Sequence, residues 1–451
     1  MIYNHLDQYR CAIVRGKASS DLDNLLPAYA GILQELCPCT KETFRNDFDS
    51  KLMSYLPNST QKTLDNHRTE IAGKLFGMYY EDSYGFIHIS ERTLKLLEDS
   101  DQISFFKDLC LAYQFPSGMN KPQTLQEHLK EHISIRQLCF LMNVLLLCHK
   151  QSIFLSKKQI GYYVLNSKDV LRGKAKEEEV FLQIQNDFSK GIQRSIPNPN
   201  NKEASYVYQH INEQLNLLFL ANLILFENGV VYLNEKELKF IQEMASQKSN
   251  KLLFDFYKYN FSSVQDRKEC LKDWDYYFGQ LSNLEVDQTL IENIIITPTK
   301  PTEETTVAIG DEGEEYVYEL ERSRIKELNP RLLNKVKKLG RIKGIGFDIQ
   351  SVYGEGDFPD FAKYIEVKTT KRVTPPTQTT FQDTINLTRN EWIAAQQHSK
   401  DYFIYRLYIF QGGVRIFVIE NPYKASQTGQ LKVIPLTFRL DFDQNSGRFY
   451  A

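Results

Sequence analysis

Along the N-terminal half of the chain, apolar residues recur at helical spacing, interrupted by short alternating runs. TKETFRNDFDSKLMSYL opens on Thr40, a capping residue with an acid two places on, and carries its apolar residues on one helical face. QKTLDNHRTEIAGKLFG keeps that period and stops at Gly77. MYYEDSYGFIHI then alternates and turns at Gly85, which predicts a hairpin, and Ser90 caps a further helix, ERTLKLLED. The same grammar returns in LFLANLILFENGVVYLNEKELKFIQEM: helix, strand, an Asn228-Gly229 turn, strand, and a helix capped by Asn234. GFIHISERTLKLLE and GVVYLNEKELKFIQ share a Gly, three strand residues, a polar cap, a Glu and two later apolar positions. That repeat predicts two helix–helix–hairpin units. LCFLMNVLLLCH is far shorter than the ~20 apolar residues of a membrane span and reads as a buried helix.

From Thr297 to residue 309 the period lapses into TPTKPTEETTVAI, a Pro/Thr-rich linker. Beyond it the pattern changes. GDEGEEYVYELERSRIKEL is a helix, FDIQS and YIEVKTT are strands, LTRNEWIAAQQH is a helix capped by Thr388, and YFIYRLYIF and VRIFVIE are strands around Gly412-Gly413. The order α-β-β-α-β-β predicts a mixed sheet flanked by helices. The expected organisation is a mostly α region with hairpins over 1–150 and 151–296, the linker over 297–309, and an α/β domain over 310–451. Two helix–helix–hairpin units of this kind resemble tandem winged helices, as in the recognition domains of restriction endonucleases.

Composition narrows the classes. A length of 451 residues fits roughly three domains. A net charge of −2 excludes a histone-like polyelectrolyte but leaves room for a local basic face. Seven cysteines without paired spacing, and an N-terminus, MIYNHLDQYRCAIV, without a basic–apolar leader, predict a reduced, cytoplasmic protein with no membrane partner. His128 and His132 stand four apart in EHLKEHIS with no third ligand, and are expected on a solvated helix face.

The candidate chemistry lies in GIGFDIQSVYGEGDFPDFAKYIEVKTTK, residues 344–371. Side chains alternate along a strand, so Glu366 and Lys368 point one way while Ile365 and Val367 point into a core. Phe347 and Ile349 are likewise expected in the core, with Asp348 on the opposite face. If the two strands pair, Asp348, Glu366 and Lys368 converge. Two adjacent carboxylates need a cation, and hard oxygen ligands suit Mg²⁺ or Mn²⁺, with the Val367 carbonyl as a further ligand. Lys368 would orient the attacking water or stabilise charge on phosphorus. Acid-x-Lys also occurs at Asp49, Glu237 and Asp266, but in helical or loop contexts where the side chains diverge. Asp360, after Pro359, lies too close to Glu366 in sequence to sit on a different strand.

These residues carry a resemblance. Gly310–Glu314, Gly346-Phe-Asp348-Ile-Gln-Ser351, Ile365-Glu-Val-Lys368 and Thr388-Arg-Asn390-Glu391-Trp392 together resemble the PD-(D/E)XK restriction-endonuclease-like superfamily, in the branch typified by the C-terminal domain of the plant protein NO VEIN. The resemblance implies a nuclease domain over 310–451 in which Glu314 completes the metal site and Gln350, Asn390 and Glu391 support it. It implies a metal-dependent DNA endonuclease acting on double-stranded DNA, with a homodimer on DNA and a cognate methyltransferase as partners. Lys62, Asn66, His67 and Arg68 on the second helix are candidates for base and phosphate contacts, and Lys335, Lys338, Arg341 and Lys371 for carrying phosphates toward the metal. Two other readings stay open: a nuclease effector of phage defence activated by a partner, and a DNA-binding regulator whose nuclease-like domain is only a scaffold.

Overall fold

The helical periods of the N-terminal half fold as helices and the alternating runs as hairpins. The computed structural model describes residues 3–14, 19–280, 306–340, 342, 344–376, 382–434 and 439–450. It begins with α1 (Ser19–Leu36), β1 (Cys39–Thr40) and α2 (Lys41–Tyr55), the last capped by the Thr40 side chain. Next comes α3 (Gln61–Asn66), which runs on as a π-helix over His67–Leu75, with the Phe76 amide reaching back to the Ile71 carbonyl. β2 (Tyr79–Glu81) and β3 (Phe86–Ile89) form the hairpin, turning at Gly85 with φ +86°, and Ser90 caps α4 (Glu91–Asp99). The strand order is β1-β3-β2.

The second pass repeats that order. α5 (Gln137–Lys150) is the buried apolar helix, followed by β4 (Leu155–Ser156), α6 (Lys157–Ile160), α7 (Lys202–Leu220), β5 (Ile224–Glu227) and β6 (Val230–Leu233). Its sheet runs β4-β6-β5. Asn228 and Gly229 have φ of +51° and +79°, both positive, as a tight two-residue hairpin demands. Asn234 accepts from the Lys236 amide at the entry to α8 (Leu238–Ser246), and α9 (Val264–Gln280) follows.

The histidine pair departs from expectation. His128 is fully buried between the rings of Tyr9 and Phe115, and burial lowers it to about 4, so it stays neutral. His132 lies past the end of the helix Pro122–Lys130, with φ +56°. The helix stops between them, so they share no solvated face. None of the described helices is long and apolar enough to cross a membrane, and all seven cysteines are free.

Contacts divide the chain into two compact units, and both helix–hairpin repeats lie mainly in the first. The second unit takes residues 20–32 and 95–102 together with the C-terminal part. Within it, Asp23 accepts from the amide and hydroxyl of Thr374 at 3.0 and 2.7 Å, and Thr370 donates to the Ser100 carbonyl at 2.6 Å.

In the second unit α10 (Thr306–Leu328) starts four residues ahead of Gly310, inside the stretch expected as linker; residues 297–305 lie outside the described residues. The strands are β7 (Lys337–Lys338), β8 (Ile349–Val352), β9 (Ala362–Lys371), β10 (Gln382–Asn386), then, after α11 (Arg389–His398), β11 (Tyr402–Phe410), β12 (Gly413–Glu420), β13 (Lys432–Ile434), β14 (Arg439–Asp443) and β15 (Arg448–Tyr450). Six of them form a mixed sheet, β15-β12-β11-β9-β8-β7, in which only β9 and β11 run parallel. β10, β14 and β13 form a second, small sheet.

Ile349, Ile365, Val367 and Leu407 pack with Val317 of α10 on one face of the large sheet. Ile404, Tyr408 and Phe417 pack with Trp392 and Ala395 of α11 on the other. Phe347 joins this second cluster, against the expectation that it would share the core of Ile349. Gly344 and Gly346, with φ of +86° and +81°, turn the backbone before β8 begins, so strand alternation does not reach back to Phe347. Beneath α10, the buried carboxylate of Glu321 accepts from Lys363, Arg324, Ser351 and Tyr405 at 3.3, 2.6, 2.7 and 3.0 Å. Burial pushes Glu321 up, but Lys363, Arg324 and Ser351 outweigh it and hold the group at about 2.

Candidate active site

β8 and β9 pair antiparallel with Ile349 opposite Ile365 and Ser351 opposite Lys363. The Asp348 amide extends that ladder by donating to the Ile365 carbonyl at 2.9 Å, which sets Asp348 beside Glu366. One Asp348 oxygen, Oδ2, accepts from the Val367 amide at 2.8 Å and is thereby fixed. The other faces Gly340. A Cβ built on Gly340 would lie 2.9 Å from Asp348 Oδ1 and 2.8 Å from Glu314 Oε2. Only a residue without a side chain leaves those two carboxylates free to converge. Gly340 was not singled out from sequence, and its place after a run of cations carries no signal for this role.

Glu366 is almost completely buried and its Oε1 lies 2.8 Å from Lys368 Nζ. Lys368 Nζ also donates to Glu391 Oε2 at 2.9 Å. Glu391 in turn sits in the first turn of α11, where it and Thr388 form a reciprocal capping box. Glu314, on α10, is 3.6 Å from Lys338 Nζ. Four elements, α10, the lead into β8, β9 and α11, thus bring Glu314, Asp348, Glu366, Lys368 and Glu391 to one region of the unit.

The electrostatics of this region are those of an anion-rich, poorly solvated site. Burial raises Glu314 to about 7, with the Asp348 charge adding to the rise and Lys338 opposing it. Burial also raises Asp348. Glu366 is pushed well above the usual carboxylate range by burial; Lys368 pulls it back, and Asp348 and Glu391 add to the rise. For Lys368, burial alone would lower the ammonium, but Glu366 and Glu391 more than offset it. The two carboxylates thereby favour the charged form of the lysine.

Three carboxyls that resist ionising together form a donor set that a divalent cation would relieve. Among the described residues no group of three or more His, Cys, Asp or Glu side chains is placed so that it could hold a metal ion. Glu366 is instead paired with Lys368. Still, the hard oxygens of Glu314 and Asp348 and the cradle at Gly340 fit Mg²⁺ or Mn²⁺.

Residues 3–275 match the sequence model for the N-terminal part of the restriction endonuclease BpuJI. The chain belongs to that family. Residues 313–419 match the model for the C-terminal domain of protein NO VEIN, so the resemblance to that domain holds. Among solved structures, a crystal structure of pyrene- and phenanthrene-modified DNA in complex with the BpuJI endonuclease binding domain is similar to this chain. The identity is 49%, the match covers 62% of this chain and 100% of that one, and the TM-score is 0.59. No curated protein matches.

Within the BpuJI-type region the four residues expected on one DNA-facing helix separate. Lys62 and Asn66 are exposed on α3. His67 and Arg68 are buried, and Arg68 is paired with Asp49 and Asp65 and donates to the Arg45 carbonyl. Leu64, His67, Arg68, Ile71, Ala72 and Leu75 are buried at regular helical spacing, so His67 and Arg68 lie on the core-facing side of the helix.

In the NO VEIN-type region the cations are engaged with carboxylates. Lys335 pairs with Asp360 at 3.3 Å, Lys338 with Glu315 at 3.3 Å, and Lys371 with Glu312 at 3.0 Å. Arg341 lies outside the described residues. Asp360 is exposed in the turn between β8 and β9. Gln350 sits in the sheet opposite Tyr364 and Lys337, and the Val367 side chain is in the core. Asn390 is exposed, and its carbonyl would meet a Cβ on Gly346 at 2.6 Å.

Proposed function

We propose that this chain is a metal-dependent DNA endonuclease of restriction type. In this reading the two N-terminal repeats are winged helices that bind double-stranded DNA, and a PD-(D/E)XK-type domain hydrolyses a phosphodiester. The observation that carries it is the cross-strand pairing of Asp348 and Glu366 beside Lys368, with Glu314 brought to the same place from α10. Membership of the BpuJI family supports it, as does the DNA bound to the similar binding domain.

Asp348, Glu366 and Glu314, with the Val367 carbonyl, would hold the ion. When bound there, Mg²⁺ or Mn²⁺ supplies Lewis acidity toward the scissile phosphate and lowers the pKa of a water. Lys368, protonated throughout, donates to the phosphate oxygens and offsets the charge that builds on them in the transition state. Asp348 is oriented for this by the Val367 amide, and Lys368 by Glu366 and Glu391. Lys335, Lys338 and Lys371 exchange their surface carboxylate partners for DNA phosphates, at small cost because exposed pairs contribute only ~0–1 kcal/mol. Lys62 and Asn66 remain the contacts of α3. A double-strand break needs two such sites, so the chain acts as a homodimer on DNA, and a cognate methyltransferase would protect the site it reads.

The test is incubation with plasmid and phage DNAs, methylated and unmethylated, in Mg²⁺ or in EDTA, followed by sequencing of the ends. Defined ends that appear only with the metal support the reading. Intact DNA under every condition overturns it.

A further inference from the structure

Lys368 has two partners, and only one belongs to the donor set for the metal. Glu366 is the first. The second is Glu391, which enters from α11 and contributes a single oxygen to two jobs. Its Oε2 accepts from Lys368 Nζ at 2.9 Å and from the Thr388 amide at 2.9 Å. The Thr388 hydroxyl completes the box by accepting from the Glu391 amide at 3.3 Å. An oxygen held by a helix cap has little freedom, so the ammonium it receives is referenced to the helix backbone.

The need for such a tether follows from the chemistry. If Lys368 were held by Glu366 alone, any rearrangement of Glu366 toward a cation would release the lysine, whose long side chain has several rotatable bonds. An acceptor outside the donor set keeps the ammonium in place while Glu366 turns. We infer that Glu391 is a positioning residue: it clamps Lys368 to the N-terminus of α11 so that Glu366 is free to serve as a metal ligand. This rests on the endonuclease reading above and adds a division of labour between the two acids that flank the lysine.

Capping and clamping are separable by mutation. Thr388→Ala removes half of the capping box without touching Lys368. Glu391→Ala removes both the cap contact and the clamp. Glu391→Gln keeps a neutral acceptor for the Thr388 amide and a weaker one for Lys368. The measurements are kcat and KM for plasmid cleavage in Mg²⁺, Mn²⁺ affinity by calorimetry, and Tm.

The inference predicts a kcat loss of roughly 10- to 100-fold for Glu391→Ala, in the range found when groups that orient catalytic ligands are removed. KM for DNA and Mn²⁺ affinity should stay within about twofold of the wild type. Glu391→Gln should lose less, and Thr388→Ala should lower Tm while keeping kcat. Equal kcat losses in Thr388→Ala and Glu391→Ala would reduce Glu391 to a cap. A fall in Mn²⁺ affinity matching that of Asp348→Ala would make it a ligand. Wild-type kcat in Glu391→Ala overturns the inference alone, whereas a wild-type chain that cuts no DNA overturns the endonuclease reading and this inference with it.

Discussion

Replacing Gly340 with alanine should slow cleavage while leaving the fold intact. The added Cβ would lie 2.8 Å from Glu314 Oε2, 3.1 Å from Glu314 Cδ and 2.9 Å from Asp348 Oδ1. Contacts that short do not persist, so something must shift by several tenths of an ångström. Both obstacles are ends of side chains, and each would swing away from the point on which they now converge. Asp348 Oδ2 is anchored on the Val367 amide, so its rotation also strains that bond. A misplacement of about 1 Å in catalytic geometry costs about 100-fold in rate, so a shift of several tenths of an ångström should cost roughly 10-fold. The backbone gives no such penalty. Gly340 is not one of the glycines with positive φ, so alanine suits its conformation and restricts the unfolded chain, a gain of ~0.4–1 kcal/mol that offsets part of the strain. The assay is the rate of plasmid cleavage in Mg²⁺ beside Tm and Mn²⁺ affinity. Unchanged cleavage and unchanged Mn²⁺ affinity at unchanged Tm would refute the convergence of Glu314 and Asp348.

Other consequences separate the site from its surroundings. Asp348→Asn should lower cleavage at least ~100-fold, whereas Asp360→Asn, which breaks only an exposed pair with Lys335, should change it little; the reverse pattern in the same assay would show that the hairpin register is wrong. Lys62→Ala should weaken DNA binding and reduce the salt slope by about one, read by titration at several salt concentrations. Arg68→Ala should instead destabilise the fold by ~3–5 kcal/mol, read by chemical unfolding, because it strands a buried Asp49. In acid, Glu321 sets a further expectation: its folded pKa, about 2, is below the ordinary carboxylate value of 4.5, so its contribution is complete above pH 4.5 and is lost as pH falls toward 2. Glu321→Gln should flatten that part of the stability–pH curve, and a curve as steep as the wild type's would refute the role of the network.

What the sequence made legible was local. Thr40, Ser90, Asn234 and Thr388 cap helices because a short polar side chain serves free amides wherever the helical period begins. Asp348 and Glu366 could be set side by side because alternation and one tight pairing determine a register. The failures have separate causes. Two glycines with positive φ turn the backbone just ahead of Phe347, and His67 and Arg68, polar by type, occupy the same buried helix face as Leu64 and Ile71. The ion pairs of Lys335, Lys338 and Lys371 join residues far apart in sequence, so composition alone gave a free basic run where the fold has neutralised one. Gly340 is the clearest case. Its function is the absence of atoms between two carboxylates, and nothing in the neighbouring residues records what must be kept out.

The central claim is that Asp348, Glu366, Lys368 and Glu314 form a metal-dependent phosphodiesterase site in a chain that binds DNA independently of it. One paired measurement tests this most directly: Mg²⁺-dependent plasmid cleavage and Ca²⁺-supported DNA binding by the wild type and by Glu366→Ala. The account predicts cleavage by the wild type that EDTA abolishes, no cleavage by Glu366→Ala, and the same DNA affinity for both. Cleavage by Glu366→Ala at the wild-type rate, or wild-type cutting that survives excess EDTA, would contradict it.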